Sequence, residues 1–315
     1  MVRTVRTGYH ALRRWLPAAQ SFVRLPSASL AALLEHVPGI ARGTSQAQHW
    51  ATEIHSSRAR DSSQLDPSNP LARYFAAHTE GAGMHKWIHY LDVYHRHLHR
   101  FVGTEVNVLE IGIASGGSLG MWKEYFGARS RIYGVDIEPG CKMFEDAQTR
   151  VFIGDQSSRP FWRQVRDQVP RIDILIDDGA HLPEHMIVTL EEVLPAMPPG
   201  SVYICEDVHG HNPFTAYVYA LANALNELTF GPADPAPAYC SPLQQAIGAI
   251  HFYPFMIVIE KAAVPAKCLV APYRGTAWQP FHMQRSAVAP LEEQIAAAEA
   301  LARQSPQPGL HDDRR

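Results

Sequence analysis

The 315-residue chain carries 46% hydrophobic and 19% charged residues, enough to bury one substantial core plus accessory segments, which excludes a disordered or fibrous protein. Its formal charge of -3 at pH 7 offers no general attraction for nucleic acid, which normally requires a strongly basic face. Cys141, Cys205, Cys240 and Cys268 form no C-x-x-C pair and no secreted framework, so the pattern indicates neither zinc nor disulfides, and a reducing, cytoplasmic compartment fits. No apolar run reaches the roughly 20 residues that cross a bilayer, so no membrane span is expected.

In chain order, residues 1–43 read as an N-terminal helical extension. Arg3, Arg6, Arg13, Arg14 and Arg24 precede the first acid, Glu35. Such a leader has the composition of an organelle transit peptide, but the same Ala/Arg/Pro bias persists downstream, which favours an accessory helix. Residues 44–70 turn polar, ending in Asp66-Pro67-Ser68-Asn69-Pro70, and read as a linker. The main domain is expected over 71–270. Its lead-in, 71–104, has apolar residues at helical spacing (Leu71, Tyr74, Phe75, then Trp87, Ile88, Leu91, Tyr94, Leu98), predicting two helices around a break at Gly81 to Gly83.

From Val106 short β-rich runs alternate with helical segments, the pattern of a parallel sheet covered on both faces. Strands are expected at 106–111, 131–135, 150–153, 172–176 and 201–205, with helices at 119–126, 160–168, 183–194 and 214–228. Two apolar runs, 249–253 and 255–259, flank Pro254. That spacer is too short for a crossover, so they are expected to pair as an antiparallel hairpin. Residues 231–242, rich in Pro and Ala, read as a mobile loop and candidate lid. Residues 271–315 form a C-terminal extension with a helix at 292–303 and a frayed tail.

Chemistry gathers at the strand ends. After the first strand comes Leu109-Glu110-Ile111-Gly112-Ile113-Ala114-Ser115-Gly116-Gly117-Ser118, whose glycines permit a sharp turn and close ligand approach. It lacks the G-x-G-x-x-G spacing of a dinucleotide site, and its carboxylate, Glu110, suits a ligand with an ammonium group and hydroxyls better than a pyrophosphate. Asp136 ends the second strand, where a carboxylate accepts ribose hydroxyls. Asp155 and Gln156 follow the third strand and can meet an adenine edge, although Asp155 is equally suited to cap a helix.

The most informative pair is Asp177-Asp178-Gly179-Ala180-His181 after the fourth strand and Glu206-Asp207 after the fifth. Adjacent parallel strands bring both acid clusters to one pocket. Converging carboxylates repel one another unless a cation sits among them, and all-oxygen ligands favour Mg²⁺. His181, close to Asp178, is placed to act as a base. The crowded His85, His89, His95, His97 and His99 include i,i+4 pairs, but no acid-rich loop or cysteine accompanies them. They read as solvated or core histidines, with Tyr90 covering the cofactor pocket. His209 and His211 are candidates either for the acceptor site or for a simple loop.

These motifs resemble the class I S-adenosylmethionine-dependent methyltransferases, and more narrowly the metal-dependent macrolide sugar O-methyltransferases, with cephalosporin-hydroxylase-like and rhamnosyl O-methyltransferase proteins similar too. The likeness runs from about Lys86 to Lys261 and rests on Lys86-Trp87, His89-Tyr90, the Leu109 to Ser118 loop, Gly134-Val135-Asp136, Gly154-Asp155-Gln156, the two acidic motifs, Ile250-His251-Phe252-Tyr253 and Ile257-Val258-Ile259-Glu260-Lys261. Ala180 stands where Ser is usual. The resemblance implies a Rossmann-like sheet, mostly parallel with a C-terminal antiparallel hairpin and helices on both faces, plus the N-terminal helical extension. It implies Asp178, Glu206 and Asp207 as Mg²⁺ ligands and His181 as catalytic base. S-adenosylmethionine is then expected against Glu110, Gly112, Ser115, Gly116, Ser118, Asp136, Asp155, Gln156 and Asp177. The expected acceptor is a hydroxylated small molecule, a glycoside or another natural product, and a homo-oligomer built through the N-terminal helices is compatible with the sequence. The rival readings are a nicotinamide-dependent oxidoreductase and a methyltransferase-fold protein that binds without catalysis.

Overall fold

In a computed structural model of the chain, the described residues are 27–53, 64–210, 212–227, 229–230, 238–271 and 296. The chain divides into two units, Met1–Asp61 and Ser62–Arg315. In the first, one helix spans Ser27–Glu53 and carries Pro38 in its interior. The polar stretch expected to be linker from residue 44 is therefore helical through Glu53. The run Gln46-Ala47-Gln48 is built from strong helix formers, so polarity alone does not end the helix there.

The second unit is built on a seven-stranded sheet of order β3-β2-β1-β4-β5-β9-β8. Its strands are β1 Asn107–Ile111, β2 Arg131–Asp136, β3 Thr149–Ile153, β4 Ile174–Asp177, β5 Val202–Cys205, β8 Ile247–Tyr253 and β9 Met256–Lys261. The first five are parallel, and β9 pairs antiparallel with both β5 and β8. The expected hairpin is thus present, its strands longer than the apolar runs alone suggest. The strand order reverses between β1 and β4, the switch point at which open α/β sheets leave a crevice for ligands.

Alternation along the strands sorts the apolar side chains onto two cores. Val108, Ile174, Ile176, Val202, Ile204 and Val258 join the helices Pro70–Ala77, Ile88–Leu98 and Gly117–Phe126 on one face. Leu109, Ile111, Leu175, Tyr203, Ile257 and Ile259 join Arg159–Gln168, Pro183–Val193 and Pro213–Leu225 on the other. Four of these six helices begin with proline at the first turn, where its missing N–H costs nothing. Asn69, Ser158 and Asn212 cap three of them through their side chains.

A second, three-stranded sheet joins β6 Thr229–Phe230, β7 Ala238–Tyr239 and β10 Cys268–Leu269. Two-residue strands carry no alternation that a sequence reading can detect. Residues 231–237 of the candidate lid, the Arg-rich leader and nearly all of the expected tail helix lie outside the described residues. Among the described residues no helix is long and apolar enough to cross a membrane.

Candidate active site

The same alternation decides which carboxylates meet. Glu110 follows Val108 on β1, Asp178 continues from Ile176 beyond β4, and Glu206 continues from Ile204 beyond β5, so all three aim at the face covered by helix Ile88–Leu98. Lys86, just before that helix, reaches them all. Its Nζ lies 2.6 Å from Asp178 Oδ2, 3.0 and 3.2 Å from the Glu206 oxygens, and 3.6 Å from Glu110 Oε1. Tyr94 donates its hydroxyl to Glu206 Oε1 at 2.5 Å, and Ser118 donates to Glu110 Oε2 at 2.7 Å.

Lys86, Glu110 and Glu206 are buried, and one ammonium faces three carboxylates. Burial pulls the Lys86 pKa down, but Glu206, Glu110 and Asp178 outweigh it and the ammonium is held firmly protonated. Burial pushes Glu206 up to about 8 against the opposing pull of Lys86, and it raises Glu110 in the same way. Glu110 Oε1 is left without a hydrogen-bond partner. The ammonium beside the Glu110 carboxylate is therefore the chain's own.

Asp177 belongs to the opposite set. It accepts from Gln156 Nε2 at 2.5 Å and Tyr203 Oη at 3.2 Å, and burial raises its pKa to about 7. Gln156 also lies 3.1 Å from Thr189 Oγ1 and accepts from the Ala180 N–H, so the pair braces the loop that carries His181. Asp155 accepts from Ser157 N–H and Oγ in a local turn.

A cavity of about 540 Å³ opens at the carboxyl ends of β1 to β5. Of the expected site residues, Gly112, Ser118, Asp136, Asp155, Gln156, Asp178, His181, Glu206 and Asp207 line it; Glu110, Ser115, Gly116 and Asp177 do not. Asp136 holds the wall in shape by accepting from the Ala114 and Glu138 N–H groups. Gly112, at φ 79°, is irreplaceable in space: a Cβ there would stand 2.0 Å from the Asp178 carbonyl oxygen. The first-strand turn and the acidic loop thus touch backbone to backbone.

The rim of the cavity is strained. His181 and Asp207 adopt left-handed φ values of 53° and 52°, conformations that cost a non-glycine residue of order 1–3 kcal/mol. Strict alternation would send Asp207 toward the second core with Cys205. The left-handed turn brings its carboxylate back instead, where Trp87 Nε1 donates to Oδ1 at 3.0 Å. The Tyr90 hydroxyl accepts from the Asp207 N–H and lies 2.9 Å from Oδ1.

Lys86 occupies Asp178 Oδ2, while Trp87 and Tyr90 occupy Asp207 Oδ1. Asp178 Oδ1 and Asp207 Oδ2 are left, each 3.9 Å from His181 Nε2. Ligand atoms of these three residues all lie within 4.8 Å of one another. Two uncommitted carboxylate oxygens over a buried cluster short of positive charge therefore suit a divalent cation, and the imidazole beside them is left free to take a proton. Glu206, in contact with Lys86 and Tyr94, is not part of that three-residue group.

Sequence reasoning assigns no role in this network to Lys86, Trp87 or Tyr94. The available signal is their spacing, since Lys86, Tyr90 and Tyr94 recur every fourth residue on one helical stripe. Of the crowded histidines, His97 lies 3.0 Å from Glu260 and 2.9 Å from Tyr253, His95 2.8 Å from Tyr125, and His89 2.9 Å from the Pro254 carbonyl. His209 packs against Phe255 with its Nε2 3.7 Å from Asp207 Oδ1, and His211 lies outside the described residues.

The strand order and the crevice at its switch point define the Rossmann-like fold of the class I methyltransferases. No family model matches the chain. Its sequence is 30% identical over 203 residues to the 8-demethyl-8-alpha-L-rhamnosyl tetracenomycin-C 2'-O-methyltransferase of Streptomyces olivaceus, covering 58% of this chain and 53% of that one. It is 38% identical over 131 residues to the demethylmacrocin O-methyltransferase of Streptomyces fradiae, covering 39% and 31%. Among solved structures it resembles the MycE methyltransferase of the mycinamycin pathway in complex with Mg, SAH and mycinamycin VI. The TM-score is 0.50 at 26% identity, over 64% of this chain and 56% of that one. The chain thus spans about half the length of the first of these relatives and less of the second.

Proposed function

We propose that the protein is a Mg²⁺-assisted, S-adenosylmethionine-dependent O-methyltransferase acting on a hydroxyl of a glycoside. The observation that carries this reading is the convergence of Asp178 Oδ1, Asp207 Oδ2 and His181 Nε2 at the rim of the cavity. The named activities of the relatives, a rhamnoside and a macrolide O-methyltransferase, supply the substrate class.

When bound, the sulfonium cofactor supplies an electrophilic methyl group and the cation lowers the pKa of a hydroxyl that touches it. The chain's own groups do the rest. Asp178 and Asp207 would hold the cation, with Glu206 behind them as the third carboxylate of the expected set. Asp136 would take the ribose hydroxyls, and the Gly112 turn lets the backbone close on the cofactor. Asp155 and Gln156, which line the cavity, would flank the adenine. His181 would accept the acceptor's proton at Nε2, the nitrogen nearest both carboxylates. Its buried Nδ1 has no partner in this structure, and the left-handed backbone at this residue sets the direction in which the side chain leaves the loop.

The test is incubation of the full chain with methyl-labelled S-adenosylmethionine, Mg²⁺ and a panel containing rhamnosides, macrolide glycosides and catechol. The expected product is a labelled sugar methyl ether, lost with EDTA and restored by Mg²⁺. His181→Ala should lose roughly 10²–10⁴-fold in turnover while binding S-adenosylhomocysteine as the parent does. Full turnover in His181→Ala or in EDTA defeats the mechanism. A thermal shift with NADH but not with S-adenosylhomocysteine defeats the cofactor assignment in favour of the oxidoreductase.

A further inference from the structure

Beside the catalytic rim lies an aromatic surface that no step above uses. Trp87 and Phe255 are 44% and 39% exposed, although Trp122, Trp162 and Phe126 are completely buried. Their centroids are 5.3 Å apart, and His209 packs 4.7 Å from Phe255. The three ring pairs meet at 46° to 69°, as facets, leaving no slot between parallel faces.

Phe255 is held there at a cost. It forms the corner between β8 and β9 at φ 63°, following Pro254, in the position where a type II turn normally takes glycine or asparagine. Its carbonyl accepts from the Val208 N–H at 2.9 Å and lies 2.9 Å from the Tyr90 hydroxyl. His89 Nε2 lies 2.9 Å from the neighbouring Pro254 carbonyl. The corner is therefore tied to the very residues that orient Asp207, and the strained position carries a large exposed ring in place of a small turn residue.

We infer that Trp87, Phe255 and His209 form the acceptor subsite and that its ligand is a pyranose ring; this rests on the O-methyltransferase reading. The C–H face of a pyranose packs against aromatic rings, whose faces carry partial negative charge, while its hydroxyls project from the periphery. Angled facets beside a carboxylate and two imidazoles match that shape: C–H bonds against Trp87 and Phe255, hydroxyls toward Asp207, His209 and His181. A flat phenol is best held between parallel faces, which this surface lacks. Trp87 serves twice, since its indole N–H fixes Asp207 while its ring faces the acceptor.

The test needs no turnover. Saturation-transfer NMR with methyl α-L-rhamnopyranoside, in the presence of S-adenosylhomocysteine and Mg²⁺, should label the sugar's ring C–H protons on the parent protein. Phe255→Gly removes the ring and the backbone strain together, so the variant is expected to fold. It should weaken rhamnoside binding at least 10-fold and leave S-adenosylhomocysteine binding, measured by calorimetry, within 2-fold. Phe255→Tyr, which keeps the ring, should retain binding within 3-fold. Undiminished rhamnoside binding in Phe255→Gly, no rhamnoside binding by the parent, or tighter binding of catechol each overturns the subsite. If S-adenosylhomocysteine fails to bind but rhamnoside binding still depends on Phe255, the methyltransferase reading falls and the sugar subsite stands.

Discussion

Replacing Lys86 with methionine tests the charge balance of the site directly. The substitution keeps an unbranched side chain of similar length but deletes the one ammonium that contacts Asp178, Glu206 and Glu110 at 2.6 to 3.6 Å. Removing one partner from a buried ion pair costs roughly 3–5 kcal/mol, because the remaining charge is left uncompensated. For a unit of this size each kcal/mol lowers Tm by roughly 2–4 °C, so a fall of roughly 6–20 °C is expected. Two releases should soften it. Glu206, already pushed up to about 8 by burial, takes up a proton as pH falls. Because its folded pKa lies above the unfolded value, its contribution is complete in acid and is lost as pH rises past 4.5 toward 8, so the variant's deficit should shrink from pH 8 to pH 6. Mg²⁺ should also raise the variant's Tm more than the parent's, since a cation bound only by the folded state stabilises it by mass action. Thermal and urea unfolding, with and without Mg²⁺, measure all three effects. An unchanged Tm, or a deficit indifferent to both pH and Mg²⁺, refutes the reasoning.

Two further outcomes follow from the geometry. Gly112→Ala places a methyl group 2.0 Å from the Asp178 carbonyl oxygen at a left-handed φ, so it should cost more than about 3 kcal/mol in urea unfolding and weaken S-adenosylhomocysteine binding; a variant within about 1 kcal/mol of the parent contradicts the close approach. Burial lowers the His97 pKa below 6.5 despite the pull of Glu260, so the folded state binds fewer protons than the unfolded one and stability is complete above that pH and falls below it. His97→Gln should therefore lose less stability than the parent between pH 7.5 and pH 5.5; parallel curves would show that His97 does not titrate differently on folding.

Much of the architecture is legible because the strands obey a period of two and the helices open with proline and a capping side chain. The resemblance carried by the loop at Leu109 and by the two acidic motifs points to the sheet, its hairpin and its switch-point cavity. The same period shows which acids share a face: Glu110, Asp178 and Glu206 stand two residues beyond Val108, Ile176 and Ile204. Asp207 escapes that logic, since its position depends on a left-handed turn that no glycine announces. Asp177 and Gln156 read equally well as ligand contacts, yet their burial against Tyr203 and Thr189 arises from the opposite core, which depends on how the helices dock. Helical continuation past residue 44 was masked by polarity, and the three-stranded sheet by the brevity of its strands.

The Ile88–Leu98 helix and the two residues before it hold both ends of the acidic pair: Lys86 and Tyr94 take Glu206, while Trp87 and Tyr90 take Asp207. It acts as a tiller. A small slide or roll of this one rod would alter the spacing of the carboxylates and the tilt of the indole in a single movement, with every strand left at rest. Accommodating a new acceptor would then be a matter of recutting the seat of a helix, with the reactive groups themselves unchanged.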